Sequence, residues 1–334
     1  MINKFNNFTD CYLSLAAEVF NNYDFISQPR GYKIREKLAV KFIITNPRSR
    51  IPYVRARKFS AQYMIAELLW YISAQQSTEW IANYSSFWRD ISDDGKTANS
   101  AYGARIFRPH PAIANSSIVQ WEYIVNELRK DPDSRRAVIH LRSGWDSSNA
   151  KLDMPCTLAL QFFIRDGALH QVVNMRSSDL ILGIAYDVPA FTFFQEMLAL
   201  ELGVELGTYT HISNSLHIYE RHFKMVEEML GNDAIDQARI DQIGRGNMSP
   251  LPCHPPIREL YLFEGAIREA TMKEHIVEAL DELSTIDVEG IDEYWMDWGK
   301  LLASHRLGKI GLKNEVKTMQ NSTRFVGFHA LQEF

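Results

Sequence analysis

Apolar positions recur at helical spacing through residues 8–22, and the pattern predicts an amphipathic first helix. Gln28–Pro29–Arg30–Gly31 follows as a turn. Arg30 is there either a solvated turn residue or an anion ligand on a loop. Residues 38–45 are β-branched and aromatic, which predicts a strand ended by Asn46–Pro47. Ser60 is placed to cap a helix over 61–73. Within it, Glu67 lies among Met64, Ile65, Leu68, Leu69 and Ile72. Its local sequence favours a thin exposed stripe. The alternative is a buried acid with a raised pKa, suited to passing protons. Ser77–Thr78–Glu79 opens a further helix, with Trp80, Tyr84 and Trp88 four apart on one face. Trp80 and Tyr84 read as a core seam, and Trp88 as core or as the wall of a ligand pocket. Ser100–Ala101–Tyr102–Gly103 predicts a tight turn.

Residues 115–129 predict a helix burying Ile118, Trp121, Val125 and Leu128, stopped by Asp131–Pro132–Asp133–Ser134. Arg135 and Arg136 lead into a strand over 137–141. Strands over 158–165 and 168–176 flank the hairpin signal Asp166–Gly167. Asp187–Val188–Pro189 starts an apolar helix running to Leu202, closed by Gly203. A strand follows within 204–215, and His217–Ile218–Tyr219 opens a helix that ends at Gly231. Residues 244–256 read as a loop. Beyond it come helices over 264–284, with Met272, Ile276, Leu280 and Leu283 on one side, and over 292–306, with Tyr294, Trp298, Leu301 and Leu302. Hairpin strands mixed with helices imply an α+β fold.

Composition narrows the classes. The 334 residues are 46% hydrophobic and 23% charged, as in globular proteins. A net charge of -5 gives no basic field for nucleic acid, although a local arginine cluster can still bind a phosphate. Cys11, Cys156 and Cys253 form neither a metal-ligand pair nor a disulfide framework, so no metal is expected. With a polar N-terminus and no membrane-length apolar run, the expectation is a cytoplasmic protein without membrane partners.

Cys156 follows a proline and precedes a strand. A lone cysteine is usually a small buried hydrophobe. With arginines around it, it becomes a thiolate nucleophile, and the same cations bind phosphate. Arg30, Arg135, Arg136 and Arg176 are the candidates.

The landmarks now fall into a known order. They are Arg30, Glu67–Leu68–Leu69–Trp70, Trp88, Ala101–Tyr102–Gly103, Asp131 to Arg136, Pro155–Cys156, Arg176–Ser177 with Asp179, Leu182–Gly183, and His217 with Tyr219. In this order they resemble thymidylate synthase. The resemblance implies a bent mixed β-sheet packed against helices, with two such sheets back to back in a homodimer. It implies a catalytic domain over 1–243 and leaves 244–334 as a helical extension. Cys156 is then the nucleophile that adds to C6 of a pyrimidine nucleoside monophosphate, so that C5 can attack the methylene of 5,10-methylenetetrahydrofolate. Glu67 becomes a buried proton relay, with Tyr102 near the cysteine. Arg30, Arg176 and Ser177 would hold the 5′-phosphate, with Arg135 and Arg136 supplied by the other subunit. His217 and Tyr219 would bind the sugar 3′-hydroxyl. Trp88, Asp179, Leu182 and Gly183 would line the folate site, with Asp179 also counted among the catalytic residues beside Cys156, Glu67 and Tyr102.

Two departures bear on the substrate. Thymidylate synthases carry histidine after the cysteine, where this chain has Thr157, and asparagine where it has Asp187. On local grounds Asp187 is a helix N-cap, two residues before Pro189. Aligned with the family, it faces the pyrimidine. A carboxyl can share a proton with N3 of cytosine and accept from the 4-amino group, whereas asparagine reads uracil. The combination resembles the deoxycytidylate hydroxymethylases. The resemblance therefore implies dCMP or CMP as substrate and water as the final nucleophile. The end of the chain, Phe328 to Phe334, shows no match to the apolar terminus that shields the folate in thymidylate synthases, which again favours water over hydride. Thymidylate synthesis, C5-methylation of dCMP and a non-catalytic nucleotide-binding relative are the competing readings.

Overall fold

The computed structural model describes residues 3–109, 118–148, 152–231, 249–271 and 291–321. Eight strands form one mixed sheet: β1 (Asn3–Phe5), β2 (Phe25–Ser27), β3 (Ile34–Ile44), β4 (Val138–His140), β5 (Thr157–Arg165), β6 (Ala168–Met175), β7 (Ser178–Asp179) and β8 (Glu205–Tyr219). The main path runs β1-β3-β8-β6-β5-β4, with β2 paired to β3 and β7 to β8. The central strand β8 runs antiparallel to β3 and parallel to β6 and β7. The β5–β6 hairpin turns at Asp166 and Gly167, both at positive φ, as its sequence predicts.

Helix α1 (Phe8–Asn21) forms as expected, capped by the Asn7 side chain. Helix α2 (Ala61–Ile72) is capped by Ser60. The sheet's inner face carries Phe42, Ile44, Leu160, Phe162 and Val173, all buried. Helix α8 (Ile184–Leu202) packs over β6 and β8. Its Phe191, Phe193 and Phe194 supply a large share of the core volume.

Several boundaries differ from the sequence reading. The expected helix through Trp80, Tyr84 and Trp88 is two short pieces, α3 (Thr78–Ile81) and α4 (Phe87–Ile91). Tyr84 lies between them, yet its ring still packs on Trp80 at 5.1 Å. Tyr102 opens a helix, α5 (Tyr102–Phe107), rather than a tight turn. Gly103 is needed there, because a Cβ would stand 1.9 Å from the Tyr71 carbonyl oxygen where α5 crosses α2. Helix α6 (Gln120–Lys130) buries Trp121, Val125 and Leu128, but Ile118 precedes it and is exposed. A short helix α7 (Gly144–Ser148) lies between β4 and the Cys156 loop.

The largest change is in β8. It continues through His217 and Tyr219, where a helix start was expected. Pairing with β3 from Tyr209 to Tyr219 overrides the local signal, and α9 begins only at Phe223 and ends at Leu230. In the C-terminal part, α10 (Ile257–Ala270) starts earlier than predicted, α11 (Glu293–Lys309) matches, and α12 (Lys313–Asn321) is additional. Met272, Ile276, Leu280, Leu283 and the segment 328–334 lie outside the described residues. Helix α11 lies on α2 and meets α8 through Trp298 and Phe193, whose ring centroids are 5.3 Å apart. No helix among the described residues is long and apolar enough to cross a membrane.

Candidate active site

Cys156 sits at the entrance to β5, half-buried. Asp153 and Arg176 are among the side chains that hold its loop. Asp153 is buried and accepts from the Ser100 amide at 3.0 Å. Arg176, at the end of β6, donates to the carbonyls of Pro155 and Met154, both at 3.0 Å, while its own amide donates to the Cys156 carbonyl at 2.9 Å. The guanidinium is therefore fixed by the chain that carries the thiol. Burial pushes the thiol pKa up. Arg176 and Arg30 pull it down, Asp187 and Asp153 push it up, and the net shift is upward. The arginines alone do not generate a thiolate in the free protein.

Glu67 is buried, against its local reading. The α2 face that carries it is covered on both sides, so no exposed stripe exists. Burial raises its pKa to about 8, opposed by the phenol of Tyr63 and reinforced by Asp187. Tyr63 and Tyr71, one turn either side, donate to Glu67 Oε1 at 2.8 and 3.3 Å. Trp88 is buried beside them and donates Nε1–H to the Tyr63 oxygen at 3.0 Å. The two tyrosines were absent from the sequence reading, although their spacing of four from Glu67 places all three on one helix face.

Asp187 is not an N-cap. Asp179 accepts from the Ile181 and Leu182 amides at 2.7 and 3.2 Å, and its carbonyl accepts from Gly183. This turn starts α8 at Ile184, with Gly183 as the cap and Asp187 inside the first turns. Pro189 is accordingly within the helix rather than at its start. Burial raises the Asp187 pKa to about 7, and the charge of Asp179 adds to the shift. A Cβ on Gly183 would meet the Asp179 carbonyl at 3.0 Å and Asp187 Oδ2 at 3.2 Å, so glycine keeps these acids close.

Tyr102 faces Thr157, and both Asp187 and Cys156 act on its phenol, whose pKa burial raises. Asp179 pairs across the sheet with His217, which burial holds below its ordinary range despite that neighbour. The His217 and Tyr219 rings meet at 5.2 Å. Ser177 is half-buried between β6 and β7, and Leu182 is exposed next to Asp179. Arg30 lies in the exposed loop ahead of β3 with left-handed backbone, and it acts on both Cys156 and His217. Arg135 and Arg136 are exposed at the start of the edge strand β4, and Arg136 pairs with Glu127 at 2.9 Å.

One further cation lines this region. Arg57 is buried, its guanidinium 5.2 Å from the Tyr186 ring centroid, and burial, which pulls its pKa down, is outweighed by the phenols of Tyr12 and Tyr186, which hold it up. Arg57 was not among the residues singled out from the sequence.

The Cys156 loop, pinned by Arg176, thus lies beside two buried acids whose pKa values burial raises, Glu67 to about 8 and Asp187 to about 7. The chain belongs to the thymidylate synthase family, whose sequence model matches residues 10–247. A protein of Bacillus phage SP01 named deoxyuridylate hydroxymethyltransferase is 31% identical over 218 residues, which cover 63% of this chain and 57% of the phage protein. The thymidylate synthase of Corynebacterium aurimucosum is 29% identical over 205 residues, covering 60% of this chain and 71% of that enzyme. The chain thus matches little more than half the length of the phage relative.

Proposed function

We propose that the protein transfers a hydroxymethyl group to C5 of a cytidine monophosphate nucleotide, dCMP or CMP, using 5,10-methylenetetrahydrofolate and water. The observation that carries the cytosine reading is Asp187, a walled-in carboxyl whose pKa is raised to about 7. Protonated, it donates to N3 of cytosine and accepts from the 4-amino group. N3 of cytosine is a base, so the shared proton draws electrons from the ring and activates C6 toward a thiol.

The residues then divide the work. Cys156 adds to C6, and the adduct makes C5 nucleophilic. Arg176 links two functions, since the guanidinium that holds the Cys156 loop also meets the 5′-phosphate together with Ser177 and Arg30. Arg135 and Arg136, exposed on the edge strand, complete the site of a second subunit. His217 and Tyr219 hold the sugar 3′-hydroxyl. Glu67, protonated at neutral pH, exchanges protons at C5 and with the departing nitrogen. Leu182 offers an exposed apolar ledge with the close-packed Gly183 and Asp179 alongside, and Trp88 is buried next to Tyr63 and Glu67. This combination fits a flat folate ring system. Methylenetetrahydrofolate supplies the one-carbon unit.

The second reading is the same transfer to deoxyuridylate, favoured by the name of the phage relative. A neutral carboxyl, rotated, donates to O4 and accepts from N3–H. Nucleotide panels separate the two. Wild type is expected to release tritium from C5-labelled dCMP faster than from dUMP, and Cys156→Ala to release none from either while keeping its fold by circular dichroism. Equal or faster release from dUMP favours the second reading, and release by the alanine variant removes the nucleophile assignment.

A further inference from the structure

Thr157 stands next to the nucleophile and has no part in the account so far. Its side chain is buried, and its hydroxyl has no hydrogen-bond partner among the described residues. The Tyr102 phenol faces it, and Thr157 opposes the upward shift that burial gives that phenol, without a well-formed hydrogen bond. Cys156 and Asp187 act on the same phenol. Nucleophile, base-facing acid and threonine therefore share one neighbour.

A buried hydroxyl without a partner costs about 1–3 kcal/mol. Thr157 is one of a series. It pairs with Met175 on β6, which pairs with Ser213 on β8. On the same face Val173 pairs with His211, and Gln171 with Tyr209. Ser213 Oγ, His211 Nε2 and both amide atoms of Gln171 are buried and lack partners among the described residues. His211 is otherwise well placed, stacked on Phe42 at 4.9 Å with Nδ1 2.8 Å from the Tyr209 hydroxyl. Four polar side chains spread over three successive cross-strand rows of one inner sheet face, under α8, suit a set of bridging waters. Packing alone would favour apolar residues there.

We propose that this seam from Thr157 to Gln171 is a buried water site, and that Thr157, with Tyr102, positions the water that adds to the nucleotide. The inference rests on the hydroxymethyl reading above. Once the folate nitrogen has left, C5 carries an exocyclic methylene. The water oxygen bonds to that carbon, and the π pair moves into the ring. The water's proton goes to Glu67, replacing the one passed to the departing nitrogen. The ring pair then re-forms the C5–C6 double bond as the C6–S bond breaks and returns the Cys156 thiolate. Thr157 is a positioning residue in this step.

Thr157→Val keeps the shape and removes the hydroxyl. The assay uses C5-tritiated nucleotide, dCMP or dUMP, whichever gives the wild-type product. It includes methylenetetrahydrofolate and 2-mercaptoethanol as a competing trap for the methylene. Tritium release reports formation of the methylene, and mass spectrometry reads the ratio of hydroxymethyl to thioether product. Thr157→Val is expected to release tritium at close to the wild-type rate. Its product ratio is expected to fall about tenfold, the scale of one lost hydrogen bond. Thr157→Ser is expected to restore the ratio. An unchanged ratio in the valine variant, or a serine variant as low as the valine, overturns the proposal. If the valine variant does not fold, Ser213→Ala is expected to lower the same ratio, and no change there overturns the seam. A wild type that makes no hydroxymethyl product from either nucleotide removes the underlying reading, and this proposal with it.

Discussion

Glu67 shows what a single buried acid does to both stability and chemistry. Its carboxyl titrates near 4.5 in the unfolded chain and at about 8 in the folded one. The folded state therefore binds the extra proton, and stability falls as pH rises between those two values. The full penalty is on the order of 5 kcal/mol. Glu67→Gln keeps a carbonyl oxygen for the Tyr63 and Tyr71 hydroxyls and never ionises. It is expected to raise the urea midpoint little at pH 5 and clearly at pH 9, while lowering turnover about 100-fold or more. A variant equally stabilised at both values contradicts the burial argument. Asp187 follows the same sign with its pKa near 7, so cytosine turnover at low substrate is expected to decline above about that pH. Asp187→Asn should remove this decline and turn preference toward uracil, read from kcat/KM on the two nucleotides.

Both acids were named from the sequence, but their surroundings were not. The apolar neighbours of Glu67 fit a stripe as well as a core, and only the packing of α5 and α8 on α2 decides between them. The cap reading of Asp187 failed because a cap four residues earlier, Gly183 under the Asp179 turn, took its place.

At the scale of elements, local signals served where partners are sequence neighbours. The β5–β6 hairpin, α1 and α2 follow their patterns closely. They failed where a distant strand or helix decides. His217–Ile218–Tyr219 stays extended because Ile34, Arg35 and Glu36 pair with it. Tyr102–Gly103 becomes helix because glycine lets α5 approach the α2 backbone. Gly103→Ala would drive a methyl into the Tyr71 carbonyl. It is expected to cost more than about 3 kcal/mol in urea unfolding and to disturb the Tyr71 bond to Glu67. A loss under 1 kcal/mol, on the order of a surface change, would show that the crossing relaxes easily.

Across the whole molecule, the C-terminal helices are tied to the residues that the family model covers by buried charge as well as apolar contact. Glu196 on α8 is buried, pairs with Arg50, accepts from Arg48 at 2.7 Å and from the Leu251 amide at 3.1 Å. Glu264 on α10 accepts from Trp80 and Tyr84 at 3.0 and 3.2 Å. Glu196→Ala would leave Arg50 buried without an acid and is expected to cost about 3–5 kcal/mol. Limited proteolysis should then cut first beyond residue 249. Cleavage spread evenly along the chain would contradict that anchoring. None of this was legible beforehand, because such a tie needs both partners in view, and Arg50 and Glu196 are 146 residues apart.

The central claim is that a cytosine nucleotide receives a hydroxymethyl group. It is tested most directly by incubating the wild-type protein with CMP, dCMP, UMP or dUMP and methylenetetrahydrofolate, and weighing the products. The account predicts a cytidine monophosphate heavier by one CH2O unit, with tetrahydrofolate released and no dihydrofolate. A product heavier by CH2 alone, accompanied by dihydrofolate, or a product formed only from the uridine nucleotides, would contradict it.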